Sequence, residues 1–199
     1  MQSALNGRAA SAASNPRRFA HIFFMDGVGL GENDPGANPF VSAQLPNLNG
    51  LFGDGWFLAS AGPITTESAS FIPTNATLGL PGRPQSATGQ ATILTGRNVP
   101  QIVGEHYGPK PNGAVAATVK EATLFHDVMR RGDSAALITP YPQGYFDAIT
   151  SGRRLLSAVP LAATNAGVSL LTVDDLRAGR AVSPGFTGKA WRCLLYTSP

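Results

Sequence analysis

Two side chains in this chain have the type and setting to do chemistry together. Ser86 opens the run Gln85-Ser-Ala-Thr-Gly-Gln90 after a loop, Leu80-Pro-Gly-Arg-Pro84, too rich in Gly and Pro to continue any helix. At a helix mouth the backbone N–H groups and the positive end of the helix dipole favour a phosphate, and a hydroxyl there is placed to attack phosphorus. Metal coordination can lower the hydroxyl pKa and make an alkoxide without a histidine base. That route matters because the chain holds neither a G-x-S-x-G nor a Ser-His-Asp pattern. Asp26 stands 60 positions earlier, where the apolar run Phe19–Met25 ends in Asp26-Gly-Val-Gly-Leu-Gly31. A carboxylate at the C-terminal end of a buried parallel strand lies on the ligand-binding edge of an open α/β sheet. Its oxygens are hard donors suited to Mg²⁺, Mn²⁺ or Zn²⁺. Plainer readings exist for both residues: an N-cap for Ser86, and a strand-terminal Asp-Gly turn for Asp26. A dinucleotide loop fits worse, because the glycines at 27, 29 and 31 lack the last glycine of G-x-G-x-x-G and no helix clearly follows.

Taken together, the two segments resemble known motifs. Met25-Asp26-Gly-Val-Gly-Leu-Gly-Glu32 is similar to the first metal-ligand motif of the phosphopentomutase and cofactor-independent phosphoglycerate mutase families, in which a strand ends in Asp-[Ser/Gly]-x-Gly. Gly79-Leu-Pro81 followed by Gln85–Gln90 resembles their nucleophile motif. Both families belong to the alkaline phosphatase superfamily. The resemblance implies that Ser86 is a phosphorylated nucleophile and metal ligand, that Asp26 is a metal ligand, and that two divalent cations (Mn²⁺, Mg²⁺ or Zn²⁺) serve the site. It also implies the N-terminal half of an α/β/α core with part of an inserted α/β cap. It is strong over Phe19–Arg97 and weak from Val99 to Gly188. Gln85 replaces the families' Asn or Asp, and Gln90 replaces their His, which points to a relative rather than to either mutase proper. The superfamily's remaining Asp and His ligands have no counterpart. The histidines are His21, His106 and His126, none in an Asp-His-Gly setting, so the chain supplies at most part of one metal site.

These residues need a scaffold, and the composition suits one. The chain has 199 residues, 43% of them hydrophobic and only 14% charged, with 23 Gly and 16 Pro, a balance expected of an α/β protein with many loops. A net charge of +3, with basic residues scattered in pairs (Arg17-Arg18, Arg130-Arg131, Arg153-Arg154), argues against a nucleic-acid surface. No apolar run is long enough to span a bilayer. Residues 1–18, rich in Ala, Ser and Asn, are expected to be a disordered tail of a cytoplasmic protein. They lack the apolar block of a signal peptide, and Arg17-Arg18 makes a poor twin-arginine signal. Residues 19–98 are expected to form the core half and 99–192 the cap region. Cys193-Leu-Leu-Tyr-Thr-Ser-Pro199 looks like the translation of a transposon end used in sequencing libraries, so residues 193–199 are expected to be a scar, with native sequence stopping near Arg192. An ordinary coding tail is the alternative. With the only cysteine in that scar, thiol chemistry falls away.

Along the chain, Phe19–Met25 predicts a buried strand and residues 27–39 a loop. Leu45–Phe52 predicts a short helix stopped by Gly53–Gly55, with weaker strand signals at Trp56–Ala61 and Ile64–Ile72. Ser86–Thr95 predicts a helix with Ala87, Ala91 and Leu94 on its apolar face and Gly96 as C-cap. Residues 104–112 read as a loop. Ala114–Arg131 predicts a helix broken near Glu121–Thr123 and closed by Gly132. Ser134–Thr139 predicts a strand, and Leu155–Ala166 and Val173–Ala178 predict helices stopped by Gly167 and Gly179. This strand–helix alternation again indicates α/β.

Substrate contacts are expected from Arg97, just past the nucleophile helix, from Lys110, Arg153 and Arg154 as phosphate grips, and from His106 in its loop. An exposed-loop role for His106 and a solvated turn for Arg153-Arg154 compete with that. Tyr141, Tyr145 and Phe146 read as packing, and His126 as structural. The function expected of the intact protein is metal-dependent phosphoryl transfer, phosphomutase-like, through a phosphoserine on a small phosphorylated metabolite, with this chain a truncated piece expected to be inactive in turnover by itself. The alternatives are a phosphatase, phosphodiesterase or sulfatase-like hydrolase, and a non-catalytic metal-binding domain. Oligomeric state is not legible.

Overall fold

The computed structural model describes residues 18–183 and 185. The expected tail (all but Arg18), Cys193 and the scar lie outside them. In chain order the elements are α1 (Pro39–Ser42), α2 (Pro46–Phe52), β1 (Ile64–Thr65), β2 (Ser70–Phe71), α3 (Ser86–Thr95), α4 (Val99–Val103) and α5 (Gly113–Glu121). There follow α6 (Leu124–Arg130), β3 (Pro140–Tyr141), α7 (Gln143–Thr150), α8 (Ala158–Asn165), β4 (Leu171–Thr172) and α9 (Val173–Arg177). β1 and β2 pair antiparallel, β3 and β4 parallel. Helix far outweighs strand, so the α/β expectation holds in its coarse form, as mixed helices with small sheets.

α3 forms where its sequence says it should. Ala87, Ala91 and Leu94, spaced four and three apart, are buried on one face. Gly96 ends the helix at φ +68°, a left-handed conformation glycine adopts without Cβ strain, and its N–H returns to the Thr92 carbonyl. Asn98 and Asn112 start α4 and α5 by accepting the Gln101 and Val115 N–H on their side chains. The expected break between α5 and α6 is real: Ala122 is extended (φ −162°, ψ 143°).

The main core is built from Ala87, Ala91 and Leu94 of α3, Val99 of α4, Val115 and Val119 of α5, and Ala162 of α8, with Tyr107 and Phe125 packed against it. It draws on both sides of position 98/99, where the sequence suggested a division between core half and cap. A small aromatic cluster lies apart: Trp56 meets Phe57 and Phe71 edge-on and Phe52 at a tilt, and its indole N–H donates to Asn49 Oδ1. Val115→Ala is expected to cost about 2 kcal/mol, because two fully buried carbons are lost and a cavity is left. A urea midpoint unchanged from wild type would refute the placement of Val115 in this core.

Three expectations are corrected. Phe19–Met25 is not a buried strand: it pairs with no described residue, and Phe19, Ile22 and Phe23 are 78%, 67% and 85% exposed. An apolar run becomes a strand only when a neighbour completes its hydrogen-bond ladder, and none of the described residues does so. Ser134–Thr139 likewise stays irregular; the pairing falls just beyond, with Pro140 opposite Leu171 and Tyr141 opposite Thr172. The helix expected over Leu155–Ala166 begins only at Ala158, because Ser157 is extended (φ −76°, ψ 169°). Among the described residues no helix is long and apolar enough to cross a membrane.

Candidate active site

The helix start at Ser86 differs from a serine cap. Gln85 is the extended N-cap residue (φ −127°, ψ 149°) and Ser86 is the first helical residue. Its hydroxyl therefore does not cap the helix. It donates instead to Asp26 Oδ2 at 2.9 Å, joining two segments 60 residues apart. Gly27, at φ +79°, supplies the turn directly after the carboxylate. Asp26 is exposed and Ser86 half-buried, so the pair is open to a ligand.

A second loop is docked on the helix mouth. The Thr88 N–H donates to the Tyr107 carbonyl at 3.1 Å, and the Tyr107 N–H returns a bond to Thr88 Oγ1 at 3.2 Å. This exchange satisfies one of the helix's orphan donors and holds the 104–112 loop against α3. A Cβ at Gly108 would stand 3.1 Å from the Ser86 nitrogen, 3.1 Å from Gln85 Cβ and 3.4 Å from the Ala87 nitrogen. Only glycine lets the backbone approach Ser86 this closely. Gly108→Ala is expected to push the loop off Ser86 by a few tenths of an ångström and to cost about 1 kcal/mol by overpacking. Thermal unfolding together with the chemical shifts of Ser86 and Ala87 checks this, and unchanged shifts would exclude the contact.

His106 is a strut between loops. Its Nε2 lies 3.0 Å from the Leu80 carbonyl, which can only accept, so Nε2 carries the proton. Its ring also packs on Gly82, tying the 104–112 loop to the segment that leads into Ser86. The other expected substrate contacts divide. Arg97 pairs with Glu121 beyond the far end of α3, about 15 Å of helix from Ser86, so the fold does not bring the two together. Arg153 donates from Nε to Ser151 Oγ at 2.9 Å within its own turn. Arg154 lies over the Tyr145 ring, 5.1 Å from the centroid. Burial, and then the neighbouring Arg154 charge, lower the pKa of Lys110, so these two cations sit near one another. His126 is structural, as expected: its Nδ1 meets Thr123 Oγ1 at 2.9 Å and its Nε2 meets Asn165 Nδ2 at 3.0 Å.

Two oxygen donors suited to a hard cation thus converge, Asp26 Oδ2 and Ser86 Oγ. Among the described residues no group of three or more His, Cys, Asp or Glu side chains gathers, so these two oxygens by themselves do not complete a metal site. Two surface clefts of 350 and 310 Å³ lie elsewhere, one against Tyr141, Phe146 and Asp174, the other against Phe40, Trp56 and Phe57. The sequence did not reveal the Thr88–Tyr107 exchange or the role of Gly108; the Gly108-Pro109 pair was the one available signal, and it reads only as a turn. Comparison of the chain with protein-family models, with curated proteins and with solved structures finds no match.

Proposed function

We propose that this chain carries the nucleophile half of a metal-dependent phosphoryl-transfer site, in which Ser86 attacks the phosphorus of a small phosphorylated metabolite. The observation that carries this reading is the 2.9 Å hydrogen bond from Ser86 to Asp26. It couples a hydroxyl at a helix N-terminus to a carboxylate, the arrangement that the resemblance to the alkaline phosphatase superfamily calls for. The α/β/α core of that superfamily and a cytoplasmic setting belong to the same proposal.

In this scheme Asp26 orients the Ser86 hydroxyl and accepts its proton, and the positive end of the α3 dipole favours the phosphate nearby. A carboxylate is far too weak a base to remove a serine proton unaided. A divalent cation held by Asp26 and Ser86 would supply the missing acidification and offset the charge of the phosphate. Ser86 Oγ forms the new bond to phosphorus, the ester oxygen leaves with the electron pair of the broken P–O bond, and a solvent proton quenches it. The phosphoserine then returns its phosphoryl group to an acceptor hydroxyl or gives it to water. Transfer to water has an observation in its favour, since Asp26 is exposed and solvent reaches the site.

The test is direct. The full chain is incubated with sugar phosphates and Mn²⁺, Mg²⁺ or Zn²⁺, and the peptide containing Ser86 is examined by mass spectrometry for one added phosphoryl group. Labelling at Ser86 is expected with at least one cation. No labelling with any of the three, while metal binding at Asp26 persists, would leave a non-catalytic metal-binding domain.

A further inference from the structure

A cluster beside the 104–112 loop holds more positive charge and more unused hydrogen-bonding capacity than its packing explains. Tyr145 is 8% exposed, and its hydroxyl is buried without a hydrogen-bond partner. A buried hydroxyl left so costs about 1–3 kcal/mol. Arg154 covers the face of the same ring. Lys110 lies near Arg154, and the two charges repel. Among the described residues neither cation has a carboxylate partner, whereas Arg97, Arg130, Arg177 and Arg180 are all ion-paired. Tyr141 stacks on Tyr145 with centroids 4.5 Å apart, and its pKa is pushed up to about 12, chiefly by burial, so this wall of the cluster stays neutral.

We propose that Lys110, Arg154 and the Tyr145 hydroxyl form an oxyanion site for a phosphate group. All three are donors: an ammonium, a planar guanidinium able to bind two oxygens at once, and a phenol O–H. One anion would end the repulsion between the cations and satisfy the orphaned hydroxyl. Lys110 ties the site to the loop that docks on Ser86. Gly108 packs on the Ser86 nitrogen, and two residues of chain place the Lys110 Cα no more than about 7 Å beyond Gly108. The group held here would be the non-reacting acidic end of the substrate. That assignment rests on the phosphoryl-transfer reading; the binding of an anion does not.

Isothermal titration of the full chain with inorganic phosphate, with divalent metal chelated, tests the site. Arg154→Ala and Lys110→Ala are each expected to weaken binding about tenfold or more. Arg97→Ala removes the same charge from an ion pair elsewhere and is expected to leave affinity unchanged. Tyr145→Phe separates function from packing. It is expected to raise the unfolding temperature without phosphate, because an unsatisfied hydroxyl is gone, and to weaken phosphate binding. Wild-type affinity in Tyr145→Phe and Arg154→Ala, or equal losses in Arg97→Ala, would overturn the proposal. Phosphate binding that survives in a chain never labelled at Ser86 would sink the phosphoryl-transfer reading alone; labelling without such binding would sink this site alone.

Discussion

Ser86→Ala is expected to abolish phosphoserine formation and to lower any phosphoryl-transfer turnover by at least about 10³-fold, the scale on which loss of a covalent nucleophile is felt. The fold should not suffer. Gln85 and not Ser86 is the N-cap, so no cap is lost, and alanine has a high intrinsic helix propensity. The hydroxyl's hydrogen-bond partner among the described residues, Asp26, is exposed and keeps its solvent contacts. A stability change within about 0.5 kcal/mol is expected. Denaturant unfolding and turnover measured on the same preparation separate the two effects. Turnover at the wild-type rate would end the claim that Ser86 is the nucleophile, and a large stability loss would return it to a structural role.

Asp26→Asn is the second large effect. Asparagine keeps the size of the side chain and an oxygen that can still accept from Ser86, but it removes the negative charge. If Asp26 is a metal ligand, Mn²⁺ affinity measured by titration calorimetry should fall by more than about 100-fold, with phosphoserine formation falling alongside. If it serves only to hold Ser86, the hydrogen bond survives and metal affinity stays where it was. An intact Mn²⁺ affinity would therefore exclude Asp26 from the metal site and leave the proposal without its cation.

The helical parts were legible in the sequence because their signals are local. Ala87, Ala91 and Leu94 mark a face by spacing alone, Gly96 marks its end, and the α5–α6 break falls where it was read. Strands were legible only where a partner exists. Ile64–Ile72 contains a real hairpin pairing, while Phe19–Met25, with the strongest apolar run of all, pairs with no described residue. Its composition says what it would bury, but not what would cover it. The core that draws on both sides of 98/99 was illegible for the same reason: helix faces announce that they will pack, and Val115 and Ala162 cannot announce that α3 is their partner.

By itself, the sequence determined the residue types of the site: a hydroxyl at a helix start, a carboxylate before a glycine turn, and a supply of cations. Tertiary structure alone decided which of them meet. Ser86 reaches Asp26 across 60 residues, and Gly108 brings its loop onto Ser86. Arg97, the cation nearest to Ser86 in sequence among those expected, is spent on Glu121 at the wrong end of the helix. A helix carries neighbours in sequence apart at 1.5 Å per residue, while loop closure brings distant ones together at a cost that grows only slowly with length. Spacing along the chain therefore set the chemistry available, and the packing of loops on α3 set which chemistry could be assembled.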